Sequence, residues 1–363
     1  MAADGQDTEA GPWAGGANRP AQGRGLSTLP APAAVPAVSG EPSTVTAATL
    51  PAAAQEAVDE ALRYARAALS ENTRLAYAAD WQDFAAWCTA AGLASLPAAA
   101  ETVAAYLAAL ARTHAVATLR RRLVSIAKAH RIAGHTGFWA AHPVISETLR
   151  GITRTRGRPQ RRAAALTTPE IRRLVATCGP DLAGLRDRAL VLLGYAAALR
   201  RAELVAVEVE HLKFDAQGLR LHIPRSKGDQ AGEGEELGVP RGQRRDTCPV
   251  RAIEAWMVAS EAQYGPLFRK VNRWGGLEPG RLHPSSVRQI LLRRAEQAGI
   301  AGTALEPISP HGLRAGFVTQ AYKAGLRDEE IMQHSRHRDL RTMRRYVRRA
   351  KLLEDSPAKR LDL

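Results

Sequence analysis

Nine positions separate His337 from Tyr346 near the end of this chain, and the spacing limits how the segment can fold. At roughly 100° per residue, one continuous helix would carry the two side chains on opposite sides. They converge only if a helix begins after His337, and Asp339 is a residue type suited to capping that start. His337 then occupies a tight turn, and Tyr346 rides near the end of the helix that follows. His334 is the rival histidine, but it falls on a preceding helix expected over Asp328 to His334.

Two further segments belong with this one. Ser309-Pro310-His311 has the composition of a helix start, with serine as cap and proline at the first helical position. Leu313, Phe317 and Ala321 continue as a buried stripe, and Gly325 ends the helix. His311 and Arg314, three apart, share another face in the first turns, where unpaired backbone N–H groups favour anions. Far upstream, Ala198 to Leu204 reads Ala-Leu-Arg-Arg-Ala-Glu-Leu, with Arg200 and Glu203 three apart and Arg201 as the alternative arginine. Tyr346 stands among Arg344, Arg345, Arg348 and Arg349, poor company for a core residue and good company for a phenol facing phosphates. Two arginines to hold a phosphate, histidines to manage protons and a phenol as nucleophile are what covalent attack on a DNA phosphodiester requires. The chain lacks G-x-x-x-x-G-K-[ST] and any cluster of acids demanding a metal, so no metal and no cofactor are expected.

The charge balance points the same way. Formal net charge is +15, and the excess is not N-terminal: residues 1–50 hold two basic side chains (Arg19, Arg24) against four acidic ones. A polyanionic partner follows, with double-stranded DNA first among them. The three cysteines (Cys88, Cys178, Cys248) lie far apart without metal-ligand spacing, which fits reduced thiols in an intracellular, cytoplasmic and DNA-associated protein. No run of 18 apolar residues argues for a membrane span, and a secretory signal pattern is missing.

Along the chain, residues 1–52 are rich in Ala, Pro and Gly and read as a disordered arm. Residues 53–155 read as helices. Tyr77, Trp81, Phe84 and Cys88 form one apolar stripe after a start at Ser70. Leu119, Leu123, Ile126 and His130 form another, with His130 as a core histidine. Arg74, Arg120, Arg121, Arg122 and Lys128 supply basic faces for phosphates. The stretch 151–164 (GITRTRGRPQRRAA), with Arg154, Arg156 and Arg158, reads as an interdomain linker placed at 156–166 and charged for crossing a DNA backbone. A second domain over 167–350 begins at a capped start, Thr167 to Glu170. It continues through an apolar helix at 187–199, a strand-turn-strand from Leu212 to Ile223, and helices at 250–262, 284–298, 311–324 and 339–350. In a tail at 351–363, Leu352, Leu353, Leu361 and Leu363 could dock on a neighbouring subunit.

Taken together, these motifs resemble the tyrosine recombinases of the phage-integrase family, and within it the Cre-like members. The likeness covers roughly residues 60–355. It rests on Ser70 to Arg74, Asp80-Trp81, Phe84 to Cys88 and Glu330 to Gln333, besides the arginine, histidine and tyrosine motifs. It implies a mainly α fold: an all-α core-binding (SAM-like) domain, then a mostly helical catalytic domain with a small antiparallel sheet. It places the first catalytic arginine on Arg200 with Glu203 as its acidic partner, the His-x-x-Arg pair on His311 and Arg314, the next histidine on His337 and the nucleophile on Tyr346. The catalytic lysine falls on Lys227 in Arg-Ser-Lys-Gly-Asp, with Lys213 as fallback. The activity implied is site-specific recombination through a 3′-phosphotyrosyl intermediate, without ATP, by a homotetramer on inverted-repeat half-sites. A type IB topoisomerase-like nicking-closing enzyme and a non-catalytic DNA-binding accessory protein are the alternatives.

Overall fold

The computed structural model describes residues 51–135, 141–159, 161–224 and 234–350, with Ser356, Ala358 and Leu361. The arm over 1–50, Lys227, and the tail leucines Leu352, Leu353 and Leu363 lie outside the described residues. By internal contacts the chain divides into two units, residues 1–158 and 159–363.

The first unit is helical: α1 (Ala52–Ala67), α2 (Glu71–Ala90), α3 (Ala100–Leu110), α4 (Val116–Ile132) and α5 (Pro143–Arg156). Phe84 and Cys88 of α2, Tyr106 and Leu107 of α3, Leu119 and Ile126 of α4 and Ile145 of α5 form its core. His130 is fully buried. Its Nε2 accepts the Ala98 N–H at 2.9 Å and its Nδ1–H donates to the Ile126 carbonyl at 2.9 Å, so the neutral ring ties the α2–α3 connection to α4. Two expectations are corrected here. Arg122 is no phosphate contact: it is 8% exposed and binds the Asp83 carboxylate and the Tyr106 hydroxyl across the core, with Asp80 beside it. A guanidinium this deep persists only when paired, and pairing with Asp83 and Tyr106 turns it inward, away from where a phosphate would lie. The basic stretch 151–164 is also not linker throughout, because α5 continues to Arg156. Leu149 and Ile152 extend the apolar stripe of Ile145, packing against the core, and the surrounding arginines hide that periodicity.

The second unit opens with α6 (Thr168–Ala176), whose Glu170 carboxylate accepts the Thr167 N–H at 2.9 Å, followed by α7 (Leu182–Ala196) and the short α8 (Arg201–Ala206). Strands β1 (Leu212–Phe214), β2 (Gly218–Ile223) and β3 (Glu235–Pro240) form an antiparallel sheet in that order, with Leu212 opposite Leu221 and Leu221 opposite Leu237. After α9 (Pro249–Ser260) comes a two-stranded hairpin, β4 (Arg269–Val271) and β5 (Leu277–Arg281), then α10 (Pro284–Gln297), α11 (His311–Lys323), α12 (Asp328–Ser335) and α13 (Leu340–Ala350). The helix expected to enter at Ser309-Pro310 begins one residue later, with Pro310 at the cap position and the Ser309 carbonyl accepting the Gly312 N–H. The fold is mainly α with small antiparallel sheets.

α7 runs through the centre of this unit, with Ala189 to Leu193 buried against Trp256, Phe268 and Leu291. Below it, the fully buried Asp187 takes the guanidinium groups of Arg186 (2.6 Å), Arg293 (2.7 Å) and Arg294 (2.9 Å), tying α7 to α10. Removing that carboxylate would strand cations in the interior. Asp187→Ala is therefore expected to cost about 3–5 kcal/mol of stability by urea unfolding, whereas a loss below about 1 kcal/mol would mean that water satisfies the arginines.

Candidate active site

Arg200 owes its position to a reversal of the chain after α7. Ala198 adopts left-handed backbone (φ +46°), and Ala197 to Leu199 are buried, so the next residue turns back across the helix end. Glu203 then grips Arg200 twice: its carboxylate accepts the Arg200 N–H at 2.9 Å and the guanidinium at 2.6 Å. Arg201, one residue on, is exposed. Burial pushes the Glu203 carboxyl up, but the two bonds from Arg200 and the charge of Arg336 together outweigh it and hold the group below the usual carboxylate range.

His311 and Arg314 come from the first turn of α11, and the start of that helix is clamped by the chain ahead of α6. The Ala164 N–H donates to Pro307 and the Leu166 N–H to Gly312. The approach is so close that a Cβ on Gly312 would lie 2.4 Å from the Ala164 carbonyl oxygen, and one on Gly316 1.8 Å from that of Leu166. Arg314 is 1% exposed and donates to the Ala198 carbonyl at 2.8 Å. Burial first, then the neighbouring charges of Arg200 and Arg336, lower its pKa to about 9.

The third contribution is the turn between α12 and α13. Asp339 caps α13 as its spacing predicts, accepting the N–H groups of Arg341 (3.2 Å) and Thr342 (2.9 Å). Met343 anchors α13 on Val318, Ala321 and Ile331, with Tyr346 against the same cluster, and Arg344 ties it to Asp328 of α12 at 2.7 Å. Tyr346 thereby meets His311: its hydroxyl lies 2.5 Å from His311 Nε2. The His337 ring is centred 6.2 Å from the phenol. His334 points elsewhere, stacked on Phe317 at 4.5 Å and donating to the Ala196 carbonyl at 2.7 Å.

Protonation states follow from the surroundings. Desolvation, then Arg314 and Arg200, depress the His311 pKa, whereas burial raises that of Tyr346 despite the nearby Arg314. Both groups are neutral near pH 7, so the phenol O–H donates and the imidazole nitrogen accepts. His337 is lowered to about 3 by burial and by the same arginines. The Ser335 hydroxyl spends its proton on the Ile331 carbonyl at 2.5 Å, so it accepts from His337 Nδ1 at 2.7 Å, and Nε2 is left without a proton.

One residue here carries no sequence signal. Arg336 closes α12 in left-handed backbone (φ +57°), a place where glycine is usual and another side chain costs about 1–2 kcal/mol. Its carbonyl accepts from Arg200 Nη2 and Arg314 Nη2, each at 3.3 Å. Its guanidinium, on a residue 7% exposed, donates to Glu203 (3.1 Å), Ala197 (3.2 Å) and Ala198 (3.4 Å). Glu235 at the start of β3 lies 3.8 Å away.

Lys213 is exposed on β1, in register with Arg220. In the first unit, Arg120, Arg150 and Arg154 line a groove of about 410 Å³ on α4 and α5. Arg150 was not singled out by its sequence, since its local partner Glu147 marks it as an ordinary surface pair. Of the other basic candidates, Arg121 pairs with Asp80 at 2.9 Å and Arg74 with Glu71, Lys128 is half-buried, and Arg156 and Arg158 are exposed.

Gly316→Ala forces α11 away from Leu166; a displacement near 1 Å is expected to lower single-turnover activity by about a hundredfold, and retained activity would show that the clamp yields. If His311 accepts the phenol proton, its depressed pKa keeps it competent below the ordinary histidine value. The acidic limb of the rate profile should then lie below pH 6.5, and a limb above it would contradict the neutral imidazole.

Residues 164–352 match the Phage integrase family. The chain is 33% identical over 295 residues to the integrase/recombinase xerD homolog of Selenomonas ruminantium, covering 80% of this chain and 86% of that one. It is 31% identical over 288 residues to tyrosine recombinase XerD of Caulobacter vibrioides, covering 77% and 87%. Among solved structures, the Tn1549 transposon integrase in complex with transposon right end DNA superposes with a TM-score of 0.56 at 12% identity, over 79% of this chain and 92% of that one. The XerH recombinase bound to palindromic difH substrate gives 0.51 at 16%, over 73% and 71%. At these identities the superpositions establish the fold, while the sequence matches establish kinship, and the chain belongs to the phage integrase family of tyrosine recombinases.

Proposed function

We propose that the protein is a site-specific DNA recombinase that cleaves and rejoins duplex DNA through a 3′-phosphotyrosyl link at Tyr346, without ATP. The observation that carries this reading is the 2.5 Å contact between the Tyr346 hydroxyl and His311 Nε2, beside the paired guanidinium groups of Arg200 and Arg314. Family membership and the DNA-bound relatives support duplex DNA as the partner. The groove lined by Arg120, Arg150 and Arg154 offers a phosphate-binding face in the first unit.

Arg200 and Arg314 hold the non-bridging oxygens of the scissile phosphate and balance the charge that builds on them. The Tyr346 proton passes to His311 Nε2 as the phenolate oxygen bonds to phosphorus. The bond from phosphorus to the 5′ oxygen breaks, and that oxygen takes a proton, for which Lys227 is the proposed donor. Support for Lys227 comes from its motif and from β3, the strand after its segment, starting beside Arg336 at Glu235. His337 contributes a hydrogen bond to a phosphate oxygen once the incoming negative charge lets Nε2 take up a proton. Attack by a 5′-hydroxyl reverses each step, and the phosphodiester energy held in the phosphotyrosine makes a nucleotide cofactor unnecessary.

The finer reading is a Cre-like enzyme acting as a homotetramer on inverted-repeat half-sites, with the leucines of the tail docking between subunits. The test uses nicked duplexes tiled across the DNA that flanks the coding region. Wild-type protein should form a covalent adduct on one of them. Tyr346→Phe should bind the same duplex equally and form none; an adduct that persists in the variant would show that the nucleophile lies elsewhere.

A further inference from the structure

Arg336 sits where the three pieces of the site meet, and its two ends do different things. The backbone carbonyl accepts one N–H from each phosphate-holding arginine, Arg200 and Arg314, at 3.3 Å. A single acceptor shared by two cations sets their spacing, because moving either one breaks a bond that offsets their repulsion. The carbonyl aims between them from the left-handed backbone observed at φ +57°. Main-chain bonds from the Arg336 N–H to Gln333 and from the His337 N–H to Met332 close the helix in that conformation, and the Arg336 side chain pins the closed turn to the rest of the site. The guanidinium donates to the Ala197 and Ala198 carbonyls at the end of α7, to the His334 carbonyl of α12 and to the Glu203 carboxylate. The Glu203 carboxylate also holds Arg200, and the Ala198 carbonyl also accepts from Arg314. Arg336 thus shares partners with both arginines through its side chain and bonds to both through its main chain.

We infer that Arg336 is a positioning residue for strand cleavage: its buried guanidinium, locked to Glu203 and the end of α7, aims its own carbonyl so that Arg200 and Arg314 are held at the separation a phosphate needs. The inference rests on the proposed reading of the site as one that cleaves a DNA phosphodiester held by Arg200 and Arg314. It has a distinctive consequence. Loss of the side chain should free the turn from Glu203 and the end of α7 and so weaken the grip on the charged phosphate, while the helix still closes, because glycine accepts the left-handed backbone without strain.

The experiment compares wild type, Arg336→Gly and Arg336→Lys in single-turnover adduct formation. It uses the nicked duplex that wild type cleaves, and the same duplex with an uncharged methylphosphonate in place of the scissile phosphate. Arg336→Gly is expected to lower the adduct rate about ten- to a hundredfold with duplex affinity unchanged, as a misplacement of the arginines requires, and rates are compared well below each variant's thermal midpoint because loss of the buried pair with Glu203 lowers stability as well. The defect should shrink on the methylphosphonate, which has less charge to hold, and Arg336→Lys should recover part of the rate. Arg336→Met, which keeps the stem packed, carries the same expectation should the glycine variant unfold. A variant lacking the guanidinium that cleaves within about twofold of wild type, or that loses equally on both duplexes, overturns the inference. Tyr346→Phe run alongside keeps the two readings apart, since an adduct surviving there sinks the nucleophile assignment and leaves the Arg336 comparison standing.

Discussion

Two guanidinium groups that repel one another stand side by side in this protein because they share one acceptor, the carbonyl oxygen of Arg336. Every other feature of the site accommodates that arrangement. Glu203 supplies the negative charge that lets Arg200 and Arg336 lie close together, and the Ala198 carbonyl absorbs further donors from Arg314 and Arg336. The arrangement does not cancel the charge fully. Arg314, stripped of water and facing two other cations, keeps its proton less firmly than an arginine in solution, with a pKa of about 9. It is still cationic near neutral pH. A site in that condition favours an anion, and on the proposed reading a phosphodiester arriving there relieves repulsion as it makes hydrogen bonds.

The same excess of positive charge governs the proton chemistry. His311 and His337 are both held neutral, for the common reason that an added proton would join an already cationic, poorly hydrated cluster. Neutrality serves them differently. His311 presents a bare Nε2 to the phenol, the geometry of a base waiting for its proton. His337 spends its Nδ1 proton on Ser335 and leaves Nε2 bare, the nitrogen that in the proposed mechanism gains its proton with the phosphate.

Much of this was legible in the chain. The helix behind Tyr346 could be placed because nine residues cannot bring His337 and Tyr346 together without a break, and Asp339 marks that break. The hairpin at Leu212 to Ile223, the helices α9, α10, α11 and α13, and the core role of His130 followed from periodicity and turn residues. The misreadings share a cause. Arg122 looks like its neighbours Arg120 and Arg121 in a basic run, and only the arrival of Asp83 and Tyr106 from other helices turns it inward. The last turns of α5 were hidden under charge, since composition masked the stripe that Leu149 and Ile152 continue. The hairpin of β4 and β5 and the third strand β3 went unassigned because the strands are short and none offers more than two apolar side chains to read.

The amino-acid order by itself determined the chemical inventory and the local geometry: which arginines, histidines and tyrosine exist, which lie three residues apart on one helical face, and where helices stop. Those properties depend on neighbours within a few positions, and backbone sterics decide them. The tertiary structure alone decided which of these groups come together in one site. Arg336 shows why, since its role consists of bonds to residues 22, 133 and 136 positions away. A carbonyl that orders two cations, and a side chain turned inward to hold that carbonyl in place, arise only when distant segments are packed together.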